Sequence, residues 1–366
     1  MLLAIFAILM VGALFYPKSR VVCLLSGILL LTVFSVVYFD GDVQTYRNFY
    51  ETASTKQMLT HYEPLFSLLM YFYKTLGLPY VCLRATVGLF YIVCTYRFVR
   101  KATEYKAIAM VLLFIFPSIF FCSVMRSGMA TGIMLNAIWT LVENKKNAKV
   151  KYVLGLLLAI LFHYSSAVFA VFLFVDLDKD FRWEKTLWYF VATFVVSVVL
   201  NFTDIAYKLV SLITDRAKSL QWFLTGNEAN LTGTIVDTLL IFANAVLSHW
   251  SMNICNKCVG YIDLSMKQIR LSKIAYNISM IMFLLVPFFI FASPFLRLSY
   301  MMTAICLCSW LNATRMIKEY GGSCFPVFLA VIIAMIFVWR IFVDLPYLKQ
   351  GARLFGELLY TQYMIQ

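Results

Sequence analysis

The chain has 366 residues, 62% of them hydrophobic, 17% aromatic and only 13% charged, with a mean hydropathy of +0.83. A soluble domain of this length cannot bury that much apolar surface, so a water-soluble enzyme is excluded. The composition predicts an all-α, polytopic integral membrane protein, with room for about 10–13 transmembrane or re-entrant helices of ~20 residues each. The net charge of +13 would suggest nucleic acid on a soluble chain. Here most basic residues fall in short loops between apolar runs, which is the positive-inside bias and gives no reason to expect a nucleic-acid partner.

In chain order, run 1–16 lacks a charged n-region and a small-residue cleavage site, so it reads as a first span. Run 21–39 follows, and then a polar loop, 40–62, in which Asp40, Asp42, Glu51 and the adjoining Glu63 stand next to Tyr46, Tyr50 and Tyr62. Sugars offer hydroxyls and apolar ring faces, so acids beside aromatics suit a glycan, with Asp42, Tyr46 and Tyr62 as candidate contacts. The alternative is a solvated acidic loop with interfacial tyrosines. Asp40 and Glu63 stand apart because each touches the edge of an apolar run. Run 64–78 is short and opens at Glu63-Pro64; run 80–97 carries Arg84, an intramembrane cation suited to an anion or to a buried carboxylate.

Runs 107–123 and 127–142 flank Arg126, and run 151–175 contains His163. Phe116-Pro117 marks a helix end, so Arg126 is expected near a helix N-terminus, where the dipole adds to its positive field and favours a phosphate or diphosphate. Its other reading is an arginine that snorkels to headgroups or neutralises a buried carboxylate. Gly128 and Gly132 make a GxxxG pair, a close-packing signal. His163 is either a hydrogen-bonded core histidine or a titratable group in a cavity. Further on, runs 186–200, 234–250, 273–293, 295–312 and 323–343 follow. Arg297, after Pro294, is either a headgroup contact or a second cation for the same anion. An ionised side chain at bilayer depth costs roughly 2.5–3.5 kcal/mol on insertion scales, so such residues usually face a functional polar cavity.

Six basic loops (around Lys18, Arg100, Lys146, Arg182, Lys267 and Arg315) can all be cytoplasmic under two conditions. Segment 64–78 must leave and return on the outer side or lie along it, and 151–175 must cross twice, broken near His163. Irregular backbone at that depth is tolerated only where it lines a protein cavity. Loops 40–62 and 201–233, with Arg126, His163 and Arg297, then share the outer face of one transmembrane domain covering 1–366. The longer loop has helical spacing of Leu209, Leu212, Ile213, Leu220 and Phe223 and suits an interfacial helix. No P-loop, dinucleotide fingerprint, HExxH or GxSxG occurs. A single Cys255/Cys258 pair beside His249 falls short of a zinc site, so neither metal nor cofactor is expected.

The ordered series D-x-D-x-x-x-Y, E-P-L-F-x-L-L, M-R-S-G-M-A-x-G-I, L-F-H-Y-S-S-A-V and F-L-R-L-S-Y, over roughly residues 38 to 310, resembles the EpsG-like branch of the Wzy-type polysaccharide polymerases. The resemblance implies a membrane fold like that of the lipid-linked O-antigen ligases (GT-C-like) and a bacterial inner-membrane location with a periplasmic or external site. It implies a metal-independent glycosyltransferase that joins undecaprenyl-diphosphate-linked oligosaccharides, donor to acceptor, with a chain-length regulator protein as a further partner. In that chemistry Arg126, Arg297 and Arg84 are candidate diphosphate ligands. His163, Asp40 and Glu63 are alternative bases for the acceptor hydroxyl, and the sequence does not choose among them. Two competing readings are a flippase of a lipid-linked oligosaccharide, for which paired broken helices are expected, and a membrane O-acyltransferase.

Overall fold

The computed structural model describes residues 2–36, 42–175, 179, 181–202, 231–257, 265–291 and 296–319. Asp40, residues 203–230 of the expected outer loop and run 323–343 lie outside them. Among the described residues there is no strand: fourteen α-helices, one π turn and one 3-10 helix account for the regular structure. Among them one helix, Tyr80–Ala102, is long and apolar enough to cross a membrane, or two if the bent pair Lys106–Leu113 and Phe116–Ser123 is a single span. Several apolar runs fold instead as pieces shorter than a crossing, such as the 14 residues of α1, Leu2–Phe15, and the 17 of α2, Arg20–Val36. The chain divides into two compact units, Met1–Val175 with Thr314–Gln366, and Asp176–Ala313.

In the first unit α3, Asp42–Thr52, is amphipathic and buries Val43, Tyr46 and Tyr50. The short α4, Thr55–His61, is started by a capping box between Ser54 and Gln57, which satisfies two otherwise orphaned donors. Next, α5, Pro64–Thr75, begins with proline at its first position, where the missing N–H costs nothing. Both ends of α5 touch α3. At one end Tyr62 and Phe66 pack on Tyr46, at centroid distances of 5.3 and 5.7 Å. At the other, Lys74 Nζ donates to the carbonyls of Tyr50, Glu51 and Ala53 at 2.8, 3.1 and 2.9 Å, and the Tyr50 hydroxyl donates to Leu78 O at 2.7 Å. Both ends of the 12-residue α5 thus lie against the 11-residue α3, which is only ~16 Å long.

Helix α6, Tyr80–Ala102, starts against α3, where the Tyr80 hydroxyl meets Val43 O at 3.4 Å. Its 23 residues carry the chain about 34 Å to a second end. There Glu104 accepts from both Lys18 and Arg315, and Ala107 N donates to Pro17 O at 2.9 Å. Three of the basic loops thus meet at the end of α6 opposite α3. The helix α7, Lys106–Leu113, turns by 69° through a π turn at Phe116-Pro117 into α8, Ile119–Ser123. Proline supplies no N–H to the ladder and pushes Phe116 into extended geometry.

Helix α9, Met125–Glu143, and α10, Ala148–Phe162, form an antiparallel hairpin. Its turn uses Asn144 and Asn147 at φ 47 and 67, left-handed positions that asparagine tolerates. The helices lie so close that a Cβ on Gly155 would sit 2.6 Å from that of Ala137, and one on Gly132 would sit 2.9 Å from that of Cys94 on α6. Gly132 is therefore a packing residue, as the GxxxG spacing suggests. At His163 the chain leaves the helix (φ −157, ψ 109) and enters the 3-10 helix Tyr164–Leu173. The Tyr152 hydroxyl, three turns before the break, donates to Phe169 O at 2.7 Å. The segment thus folds back along α10, and run 151–175 is two antiparallel pieces broken at His163.

The second unit contains α11, Trp183–Phe202, α12, Leu231–Lys257, α13, Met266–Phe291, and α14, Leu296–Glu319, as far as Ala313. Small hydroxyls join these helices: Ser251 Oγ meets Ser309 Oγ at 2.7 Å, Ser279 Oγ donates to Ser248 Oγ at 3.1 Å, and Trp310 Nε1 donates to the same oxygen at 3.2 Å. Cys255 is buried in α12, and Cys258 lies outside the described residues.

Gly155→Ala is expected to destabilise the protein by about 1–3 kcal/mol, because the obstructing atom is a Cβ with no freedom to rotate away. Gly12→Ala, whose added carbon finds only ordinary contact with Val22 at 3.7 Å, should be neutral or slightly stabilising. Thermal unfolding of the two purified variants in detergent checks the contrast.

Candidate functional site

Antiparallel pairing of α9 and α10 brings the first turn of one helix beside the last turn of the other. Arg126 is the second residue of α9, and His163 immediately follows α10. Glu63, the N-cap residue of α5, lies between them and binds both. Arg126 Nη1 donates to Glu63 Oε2 at 2.5 Å. On the other carboxylate oxygen, His163 Nδ1 lies 3.4 Å and the Tyr164 backbone N–H 3.3 Å away. Three segments 63 and 37 residues apart in the chain therefore share one carboxylate.

Exposure differs in a telling way. The side chain of Glu63 is 4% exposed, while those of Arg126 and His163 are 23% and 18% exposed. The carboxylate is the buried joint and the two bases are its accessible arms. Glu63 sits in the connection between α4 and α5. Burial raises its pKa; the hydrogen bond from His163 and the charge and hydrogen bond of Arg126 outweigh that and lower it from 4.5 to about 2.

Two tyrosines wall in the guanidinium. Arg126 Nε donates to the Tyr46 hydroxyl at 2.8 Å, and its central carbon lies 5.5 Å from the Tyr46 ring and 4.8 Å from that of Tyr62, within cation–π range. Both rings are buried. Arginine has five N–H donors. Nε and one Nη1 hydrogen are committed, so three hydrogens have no acceptor among the described residues. They lie at the N-terminal turn of a 19-residue helix, whose dipole adds positive potential. The arrangement is suited to holding a phosphoryl oxygen. His163 faces an acceptor-only carboxylate through Nδ1; in the tautomer that carries its proton there, the lone pair lies on Nε2.

Of the other candidates, Asp42 opens α3 and acts electrostatically on both tyrosines. Arg84 is fully buried on α6, in electrostatic range of Cys122. Arg297 lies in the first turn of α14; its side chain, like Asp40 as a whole, lies outside the described residues. Glu63 takes the position of a partner: the reading of Arg126 as a cation that neutralises a buried carboxylate holds, and the same pairing orients His163. The Tyr164 N–H could not be singled out from sequence, since a backbone donor carries no side-chain signature. Phe49 and His61 were likewise missed: Phe49 packs on Tyr62 at 5.1 Å and His61 at 4.5 Å.

A family model described as the EpsG family matches residues 20–351. No curated protein and no solved structure matches the chain. The match covers most of the sequence, including every residue of the cluster, and the chain belongs to the EpsG family. Membership implies a membrane protein of the polysaccharide-polymerase type.

Because the Glu63 pKa is lowered on folding, its contribution to stability is complete above about 4.5 and is lost as pH falls towards about 2. Glu63→Gln is expected to cost about 3 kcal/mol at neutral pH by leaving Arg126 unpaired and to flatten the acid limb between those values. Unfolding temperatures of both proteins across pH 2–7 in detergent check it; parallel acid limbs would remove the ion pair from the account.

Proposed function

As a consequence of this membership and this geometry, we propose that the chain is a polysaccharide polymerase of a bacterial cytoplasmic membrane. It is a metal-independent glycosyltransferase that joins undecaprenyl-diphosphate-linked oligosaccharide repeat units at the outer face. The observation that carries the reading is the Arg126–Glu63–His163 cluster, which puts free cationic donors and an oriented imidazole side by side.

The acceptor hydroxyl on one repeat unit attacks the anomeric carbon of another. The new C–O bond forms as the bond from that carbon to the diphosphate oxygen breaks, and the electron pair leaves on the diphosphate. The anomeric centre is oxocarbenium-like in between, as in glycoside hydrolysis. A diphosphate needs charge stabilisation more than protonation, and the uncommitted N–H groups of Arg126 supply it from a fixed position. His163 Nε2 takes the hydroxyl proton, and Glu63, bound to Nδ1, holds the ring in the required tautomer and stabilises the imidazolium that results. Glu63 itself is too weak a base for this step, with its pKa at about 2; it is a positioning residue.

The membrane reading draws support from the two ends of α6. The cluster and α3 lie at one end, and Lys18, Lys101 and Arg315 gather at the other, about 34 Å away, which is close to the thickness of a hydrocarbon core. With the basic end cytoplasmic, the cluster faces outward, where a lipid-linked glycan is polymerised. A polytopic arrangement with re-entrant pieces at α5 and at the His163 break accommodates the helices that are too short to cross.

The test is polymerisation in vitro: purified protein, the native repeat unit on undecaprenyl diphosphate, EDTA present, and products resolved by length. Wild type should give a ladder. Arg126→Ala and His163→Ala should lose it by at least a hundredfold, and Arg126→Lys should not restore it, because a point charge cannot bind carboxylate, phenol and phosphate together. Absence of a ladder from folded wild type, with movement of the same lipid across liposome bilayers, would replace this reading by the flippase.

A further inference from the structure

The diphosphate that Arg126 binds is bonded directly to a sugar, so that sugar ring must lie beside the guanidinium. The aromatic side chains around Arg126 form a graded series. Tyr46 and Tyr62 touch the guanidinium and are 3% and 8% exposed, so their faces are already used. Tyr62 then meets Phe49 and His61 edge-on, at 76° and 81°, and those two rings stack on each other at 4.3 Å and 22°. Phe49 is half-buried, and His61 stays exposed in spite of both contacts.

Local structure explains why His61 is held there. It is the last residue of α4, a helix fixed at its start by the Ser54–Gln57 box and at its middle by Met58, its one buried side chain. A second observation concerns Tyr62, the ring on which Phe49 and His61 both pack. The Tyr62 hydroxyl is buried and has no hydrogen-bond partner among the described residues. A buried phenol without a partner is rare and calls for a missing acceptor. Burial also raises its pKa, so it remains a donor.

Resting on the polymerase reading, we infer that the outer face of His61, backed by the stacked Phe49, is the platform for the pyranose attached to the diphosphate, with the Tyr62 hydroxyl donating to an oxygen of that same sugar phosphate. The C–H groups on the apolar face of a pyranose carry partial positive charge, and the face of an aromatic ring is negative, so an exposed ring face beside an arginine takes the sugar next to the phosphate. The platform selects which repeat unit is accepted, while Arg126 binds the feature that all such lipids share.

The experiment compares two probes by titration in nanodiscs: undecaprenyl diphosphate, and the native repeat unit on undecaprenyl diphosphate, isolated from cells in which the polymerase is deleted. The variants are His61→Ala, His61→Phe and Tyr62→Phe, with Arg126→Ala as reference. The inference expects His61→Ala to weaken the glycan lipid about tenfold more than the bare lipid, His61→Phe to restore most of the difference, and Tyr62→Phe to reduce affinity for the glycan lipid without loss of thermal stability. Equal weakening of both probes by His61→Ala, or none, overturns it while leaving the polymerase reading in place, provided that Arg126→Ala still loses both lipids. Binding of neither probe by wild type overturns the polymerase reading and this inference with it.

Discussion

The carboxylate of Glu63 is the joint on which the first unit's polar cluster depends. One of its oxygens receives the Arg126 guanidinium; the other receives His163 and the Tyr164 backbone N–H. A charge buried to this extent persists only when it is paired and hydrogen-bonded. The pairing works in both directions. It neutralises the carboxylate, and it fixes two basic groups at the edge of an apolar bundle with part of each still open. Without Glu63, the guanidinium and the imidazole would share no common support, and Arg126 would keep only the Tyr46 hydroxyl and the two tyrosine rings.

Each member of the cluster stands at a break in helical structure. Glu63 caps α5, Arg126 lies in the first turn of α9, and His163 separates α10 from the 3-10 helix. Helix termini leave backbone donors unpaired and concentrate the dipole, so they are where polar chemistry can enter an apolar bundle. The Tyr164 N–H illustrates this: it is the donor released when the chain leaves α10, and it is satisfied by the carboxylate. The fold-back that follows is recorded by the Tyr152–Phe169 bond.

The two units are held together internally by different means. In the first, close approach at Gly132 and Gly155 accompanies a cluster of full charges. In the second, neutral hydroxyls of Ser248, Ser251, Ser279 and Ser309 join the helices. Between apolar helices the hydrophobic effect gives little selectivity, so small residues and hydroxyl bonds fix the contacts.

The sequence by itself determined the helical class, because its apolar runs are long and lack strand alternation. It also determined that Arg126 and His163 are out of place, since a charged or titratable group between apolar flanks is visible without coordinates. The break at His163 was legible as well, because loop charge constrains how often a chain can cross. The partnership of Glu63 was not, for a residue 63 positions from one partner and 100 from the other leaves no periodic trace. That Tyr46 and Tyr62 are buried against Arg126 was not legible either, because burial depends on what packs opposite. Only the tertiary structure decided that one carboxylate, Glu63, binds both Arg126 and His163, and that its pKa is lowered in consequence, since a carboxylate's basicity is set by the charges folded against it.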